Sequence, residues 1–470
     1  MTKFEKILLS IFFLELFAGG GGRLINVSVG PLSIRMILFI VLMLVYGIRV
    51  LATKKLVTTD HLYLKQYKLS TILISGIVLY CLLSTILGIA YGHPKGIVVN
   101  DFLRVAYFVS FFPLAYYISN DRFKIKWIKS ILDIAALFMI VFTLSIDMAS
   151  IFMKQEVYWK FYSWINEVIP GELVFRLNTT GVFYKGHYFL FFAVVLALYK
   201  MIKGNSTLVE KIIFFLGMTS IYFTRARGLV LALVFVIIFL IVYSLIEAFF
   251  VRKKIFKKPD FILSTKKLSH KLVLMLIVLV SFCMIYFSIS STRVGDVQTE
   301  IPQVETKKTD KETSNETVKN EKPKTNQSTT EVEEKPFTGD IRVYFIKDSL
   351  RILNSRPVNW LVGNGYGTEI GGRLTGIEIS FLDILVEQGV IGVLLWLLVS
   401  LAPFYFYYGF QRKGERNYLN VGLLAGIAGM LLLTNTNPFI NSPIGIGFLV
   451  IVLVIGFNKP VDYSMRGLKK

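Results

Sequence analysis

Along the chain, apolar residues gather into runs of about 20 closed by short polar connectors, the length an α-helix rising 1.5 Å per residue needs to cross a ~30 Å hydrocarbon layer. The runs predict an all-α polytopic membrane protein of about twelve transmembrane helices, near 6–22, 31–49, 69–91, 98–118, 128–152, 182–200, 209–224, 228–250, 272–291, 379–408, 419–434 and 441–458. The expected organisation is helices one to nine in 1–291 with an outer loop at 153–181, an extracytoplasmic stretch at 292–378, helices ten to twelve in 379–458, and a cytoplasmic tail at 459–470.

The polar positions set the expected sides. Every second connector (49–68, 119–129, 200–211, 251–271 and 409–418) is rich in lysine and arginine, which the positive-inside rule places in the cytoplasm together with both termini. The alternate connectors are then outside. The long outer stretch divides by composition. From Thr299 to Pro336 only Ile301, Val304, Val318 and Val332 are aliphatic, too few to offset the entropy of ordering the chain, so a disordered tether is expected. After the N-cap candidates Thr338 and Asp340, Ile341, Tyr344, Phe345, Ser349, Leu350 and Leu353 recur at helical spacing. The turn-forming segments Gly363-Asn364-Gly365-Tyr366-Gly367 and Gly371-Gly372 then lead into the tenth helix.

Composition narrows the class. The chain has 470 residues, 54% of them hydrophobic, and a formal net charge of +21. That hydrophobic share argues against a soluble protein, and the basic surplus reads as membrane topology with no nucleic-acid partner. Cys81 and Cys283 both lie inside apolar runs, where a thiol packs as a small hydrophobe, so neither disulfide nor metal site is expected. Met1 to Lys6 leads into an apolar stretch without a small-residue cleavage site and is expected to open the first span.

Ionisable groups outside the topology pattern are the functional candidates, because charge in or beside a bilayer is costly. Arg225 and Arg227 occupy a tight turn on the side that disfavours basic residues, although interfacial snorkelling would also account for them. Arg176 precedes the sixth span, followed by Lys185 and His187, the latter more readily a structural histidine than a base. Arg342 with Lys347, Arg351 and Arg356 decorates the amphipathic segment after the tether, where a solvated basic face would look the same. Glu378, Asp383 and Glu387 enter the tenth span, Glu387 about 13 Å below Glu378, with the outer arginines as expected partners. Arginine forks bind phosphate oxygens bidentately, and a carboxylate takes the proton of an attacking hydroxyl, a combination suited to glycosyl transfer from a polyprenyl-diphosphate carrier. With no metal-ligand spacing and no Walker loop on the outer side, a metal-independent reaction without cofactor is expected.

At these residues the chain resembles the O-antigen polymerase and O-antigen ligase superfamily. Tyr222 through Ala232 is similar to the family's serine-arginine-glycine turn, with Arg227-Gly228 on its Arg-Gly pair. Arg176 with Gly181 resembles an earlier element, and Arg342, Pro357, the loop 363–367 and Glu378 through Gly392 resemble the final signature. Ligases of the family carry a His-Asn pair where this chain has Glu378-Ile379, which favours the polymerase branch. The resemblance implies a polymerase of lipid-linked repeats, with undecaprenyl-diphosphate-linked donor and acceptor in the bilayer and a flippase and chain-length regulator as pathway partners. Arg227, Arg342 and Glu378 would be catalytic, and Arg176, Arg225, Arg351, Asp383 and Glu387 would bind substrate. A ligase of the finished glycan and a flippase or transporter are the alternatives; no Gly/Pro-broken pair of helices favours the transporter.

Overall fold

The structure is a computed structural model, and it describes residues 1–19, 23–27, 30–53, 68–119, 122–168, 173–175, 182–257, 265–294, 341–374, 376–415 and 417–456. The membrane bundle comprises α1 (Lys3–Ala18), α2 (Ile34–Thr53), α3 (Lys68–Ala90), α4 (Lys95–Val105), a 3₁₀ stretch (Ala106–Ser110) and α5 (Phe111–Tyr117). It continues with α6 (Ile125–Phe152), an aromatic-rich outlier α7 (Gln155–Val168), α8 (His187–Lys203), α9 (Leu208–Phe223), α10 (Arg227–Arg252) and α11 (Thr265–Val294). After residue 340 come α12 (Ile341–Ser355), α13 (Pro357–Val362), α14 (Ser380–Lys413), α15 (Val421–Leu433) and α16 (Pro443–Gly456). Among the described residues, seven segments are long and apolar enough to cross a membrane, namely 34–52, 68–90, 95–117, 125–152, 227–252, 271–289 and 380–413, and the protein is membrane-embedded. The expected tether and tail, Thr338 and Asp340 lie outside the described residues.

Local chemistry explains several helix starts. Thr2 with Glu5 and Thr207 with Glu210 form capping boxes, each threonine accepting from the N3 amide while the glutamate takes the cap amide. Two small antiparallel hairpins, β1 (Arg23–Val27) with β2 (Gly30–Ser33) and β3 (Leu173–Phe175) with β4 (Val182–Tyr184), depart from the all-α expectation. They move the starts of two spans inward, to Ile34 and His187, because strand pairing absorbs the residues just before each helix.

Packing sorts the helices into layers. α8, α15 and α16 are apolar on nearly every side and buried on nearly every side, so they form the centre. The outer helices α2, α3 and α11 expose Leu44, Ile48, Leu79, Ile86, Met284 and Phe287, apolar faces that suit contact with lipid. Connectors alternate between the two ends of the bundle. At one end meet Glu5 with Arg49, Lys129 with Glu210, and Lys257 with Gln411. At the other meet Ala18 with Tyr184, Tyr188 with Phe439, Tyr91 with Arg356, and Ser380 with Thr434. The first end carries Lys129 and Lys257, and the second Arg225, Arg227 and Arg342.

Candidate active site

The turn that carries Arg225 and Arg227 and the start of α14 both pack on one loop at the arginine-bearing end. The turn after α9 is closed by Thr224, whose hydroxyl donates to the Ile221 carbonyl at 2.6 Å and accepts from the Ala226 amide at 3.1 Å. Arg225 adopts φ +52°, a left-handed conformation that a non-glycine residue rarely takes, and lays its guanidinium over the Tyr222 ring at 4.6 Å. Its buried Nη1 has no hydrogen-bond acceptor among the described residues. Arg227 opens α10, and Gly228 behind it packs so closely on Thr436 and Asn437 that a Cβ would overlap the threonine hydroxyl.

That same loop, 434–442, holds the start of α14. The Ser380 amide donates to the Thr434 carbonyl at 3.0 Å, the Phe439 amide to Ser380 Oγ at 3.2 Å, and the Ile440 amide to Thr434 Oγ1 at 2.8 Å. Glu378 stands two residues before Ser380 and pairs with Arg342 of α12 at 3.4 Å. Both side chains are accessible, at 44% for Arg342 and 36% for Glu378, so the pair lies open to a ligand. Gly228, next to Arg227, and Ser380, two residues after Glu378, thus pack on the same 434–442 loop.

A second, buried cluster lies deeper. Asp383 and Glu387 share one face of α14 and meet Asp101 and Arg104, an i,i+3 acid–base pair on α4. Arg104 bonds the Asp101 carboxylate, whose other oxygen accepts from the Gly367 amide at 3.0 Å. Asn441 donates to Asp383 at 2.9 Å, bringing the 434–442 loop into this cluster as well. The expectation that outer arginines partner Asp383 and Glu387 is therefore corrected: the arginine facing them comes from the fourth apolar segment. Sequence reading passed over Asp101 and Arg104 as part of an apolar run, although an ionisable pair one turn apart within it was a visible signal.

The glycine-rich loop 363–367 wedges between α3 and α14 and explains how the cluster is held. α14 is broken at Gly389, at φ 66° and ψ −172°, where a Cβ would overlap the Leu361 carbonyl. The break orphans three carbonyls, and each finds a donor: the Asn364 amide on Val386 at 2.7 Å, the Gly365 amide on Glu387 at 3.0 Å and Tyr80 Oη on Gln388 at 2.8 Å. Gly365 at φ +80° lies flat against Gly88, which leaves no room for a side chain on either. The Gln388 amide donates to Tyr366 Oη at 2.8 Å, and burial holds that phenol well above its ordinary range, keeping it a neutral hydrogen-bonding group. α4 and α5 are likewise interrupted by the 3₁₀ stretch 106–110. The sequence showed no Gly/Pro-broken pair of helices; the structure has two interrupted segments, and the buried cluster lies between them.

Other candidates are placed apart. Arg351 turns to Asp348 at 2.6 Å, and nine residues at about 100° each set it on the face of α12 opposite Arg342. Arg176 and Gly181 lie outside the described residues. His187 is fully buried, with Nε2 3.1 Å from Ser220 Oγ and Nδ1 2.8 Å from the Tyr184 carbonyl, a structural role. Cys81 and Cys283 are free thiols.

Residues 212–397 match the family model described as O-antigen ligase, a domain consistent with the O-antigen polymerase and ligase superfamily. The matched stretch contains Arg225, Arg227, Arg342, Glu378, Asp383 and Glu387, and ends in the second half of the broken helix. Asp101 and Arg104 lie before it. No curated protein matches the chain.

Proposed function

We propose, with the O-antigen ligase domain at 212–397 as premise, that the protein polymerises lipid-linked oligosaccharide repeats on the outer face of the cytoplasmic membrane. The observation that carries this reading is the accessible Arg342–Glu378 pair, a phosphate-binding fork and a carboxylate in contact, while the Arg225–Arg227 turn packs through Gly228 on the loop that also holds Ser380, two residues after Glu378. Donor diphosphate takes Arg342 away from Glu378, with Arg227 and Arg225 as further phosphate ligands. The freed carboxylate accepts the proton of the acceptor hydroxyl as that oxygen bonds the anomeric carbon and the carbon–phosphate-oxygen bond breaks. The undecaprenyl diphosphate leaves with its charge held by the arginines, and the chemistry needs no metal. Asp383 and Glu387 are buried, so their part is to hold the start of α14 in place with Arg104.

Gene deletion followed by sizing of the lipid-linked glycan tests the reaction. Accumulation of single outer-leaflet repeats is expected; full-length chains retained on the carrier would instead make the protein a ligase of the finished glycan. The two interrupted segments with charge between them favour, as second reading, a lipid-linked glycan flippase, for which repeats would accumulate on the inner leaflet. Glu378→Gln and Arg342→Lys are expected to cut chain extension by about 10²–10⁴-fold while the protein still inserts. Normal ladders from both variants would remove the pair from the reaction.

A further inference from the structure

A cavity of about 370 Å³ lies at the lysine-bearing end, away from the candidate active site. Its walls are α6, α8 and α16, and its far end is closed by Phe17, Phe189 and Phe192. Along α8 it extends from Phe189 to Lys200, which at 1.5 Å per residue is about 16 Å, half the ~30 Å hydrocarbon layer. The interior is aromatic and aliphatic, whereas charge is confined to the rim. There Lys129 is held by Asp133 at 2.6 Å and Glu210 at 2.9 Å, and Lys126 and Lys200 line the mouth beside them. Three lysines against two carboxylates leave the mouth cationic.

We propose that this cavity binds one anionic phospholipid from the leaflet at the lysine-bearing end, an acyl chain running down to the three phenylalanines and the phosphate at Lys126 and Lys200. Depth matches one leaflet, the apolar lining matches a hydrocarbon chain, and the sign of the rim selects the headgroup. A well-packed interior leaves few voids larger than a water molecule, so an apolar slot of this size within the most buried part of the bundle suits a chain-shaped occupant. The site is independent of the proposed transfer reaction.

The full-length protein in mixed vesicles, labelled with a photoactivatable phosphatidylglycerol carrying its reactive group on the acyl chain, tests this. Crosslinks are expected on α8 between Phe189 and Lys200, displaced by unlabelled phosphatidylglycerol and not by phosphatidylcholine. Lys126→Glu with Lys200→Glu is expected to lower labelling by about 30-fold, from the loss of two lysine contacts to an anionic headgroup. Ala193→Phe, which fills the slot, should abolish it, whereas Lys253→Glu at the same end should leave it unchanged. Equal displacement by both lipids in the wild-type protein, crosslinks only on the outer faces of α2 or α11, or displacement by polyprenyl phosphate in preference to phosphatidylglycerol would overturn the proposal. The competition uses the unmutated chain and reads out even where a variant does not fold.

Discussion

Two arginine–carboxylate groups occupy the same end of this bundle and behave as opposites. Arg342 and Glu378 meet at 3.4 Å with more than a third of each side chain accessible. Asp101, Arg104, Asp383 and Glu387 gather between two interrupted membrane segments, with Asp101 only 3% and Asp383 only 1% exposed. An accessible ion pair contributes about 0–1 kcal/mol, because water screens it and its side chains lose freedom. A buried group is different, since removing one member strands the others without compensation. The first pair can therefore open for a ligand at little cost, whereas the second cluster is fixed by its burial.

The largest effect is expected where the buried group loses its only arginine. Arg104→Leu leaves Asp101, Asp383 and Glu387 facing one another and should lower stability by about 3–5 kcal/mol, read as a fall in melting temperature in detergent. A melting temperature equal to wild type would dissolve the distinction between the two groups. Gly389→Ala attacks the same cluster through the backbone, forcing a Cβ onto the Leu361 carbonyl at positive φ, and should cost about 2–3 kcal/mol and expose the 363–367 loop to proteolysis. The smallest effect belongs to the open pair. A double-mutant cycle with Arg342→Ala and Glu378→Ala should return a coupling under about 1 kcal/mol in stability, while either single change abolishes chain extension. A coupling of several kcal/mol would mean that the pair is structural and does not open.

Periodicity and charge made much of this protein legible. The apolar runs became helices because a segment in lipid has to satisfy its own backbone hydrogen bonds. Arg342 and Glu378 were visible as charges out of place. What went unseen depended on contacts distant in sequence. Asp101 and Arg104 sit in an apolar run 266 residues before the loop amide at Gly367 that binds Asp101, and no local pattern announces that pairing. The break at Gly389 falls inside a segment that the sequence pattern predicts as one continuous span, because what makes the break tolerable is the distant donors of Asn364, Gly365 and Tyr80.

By itself, then, the sequence determined that the chain is a helical membrane protein and which charges stand out as candidates for chemistry. These properties depend on composition and on spacing of a few residues, both written locally. Only the tertiary structure decided which arginine faces which carboxylate, that Arg351 stands apart from Arg342 and Glu378, and that the 434–442 loop joins the Arg227 turn to the start of α14. Those outcomes depend on how helices pack side by side, and hydrogen bonds between distant segments are set by that packing.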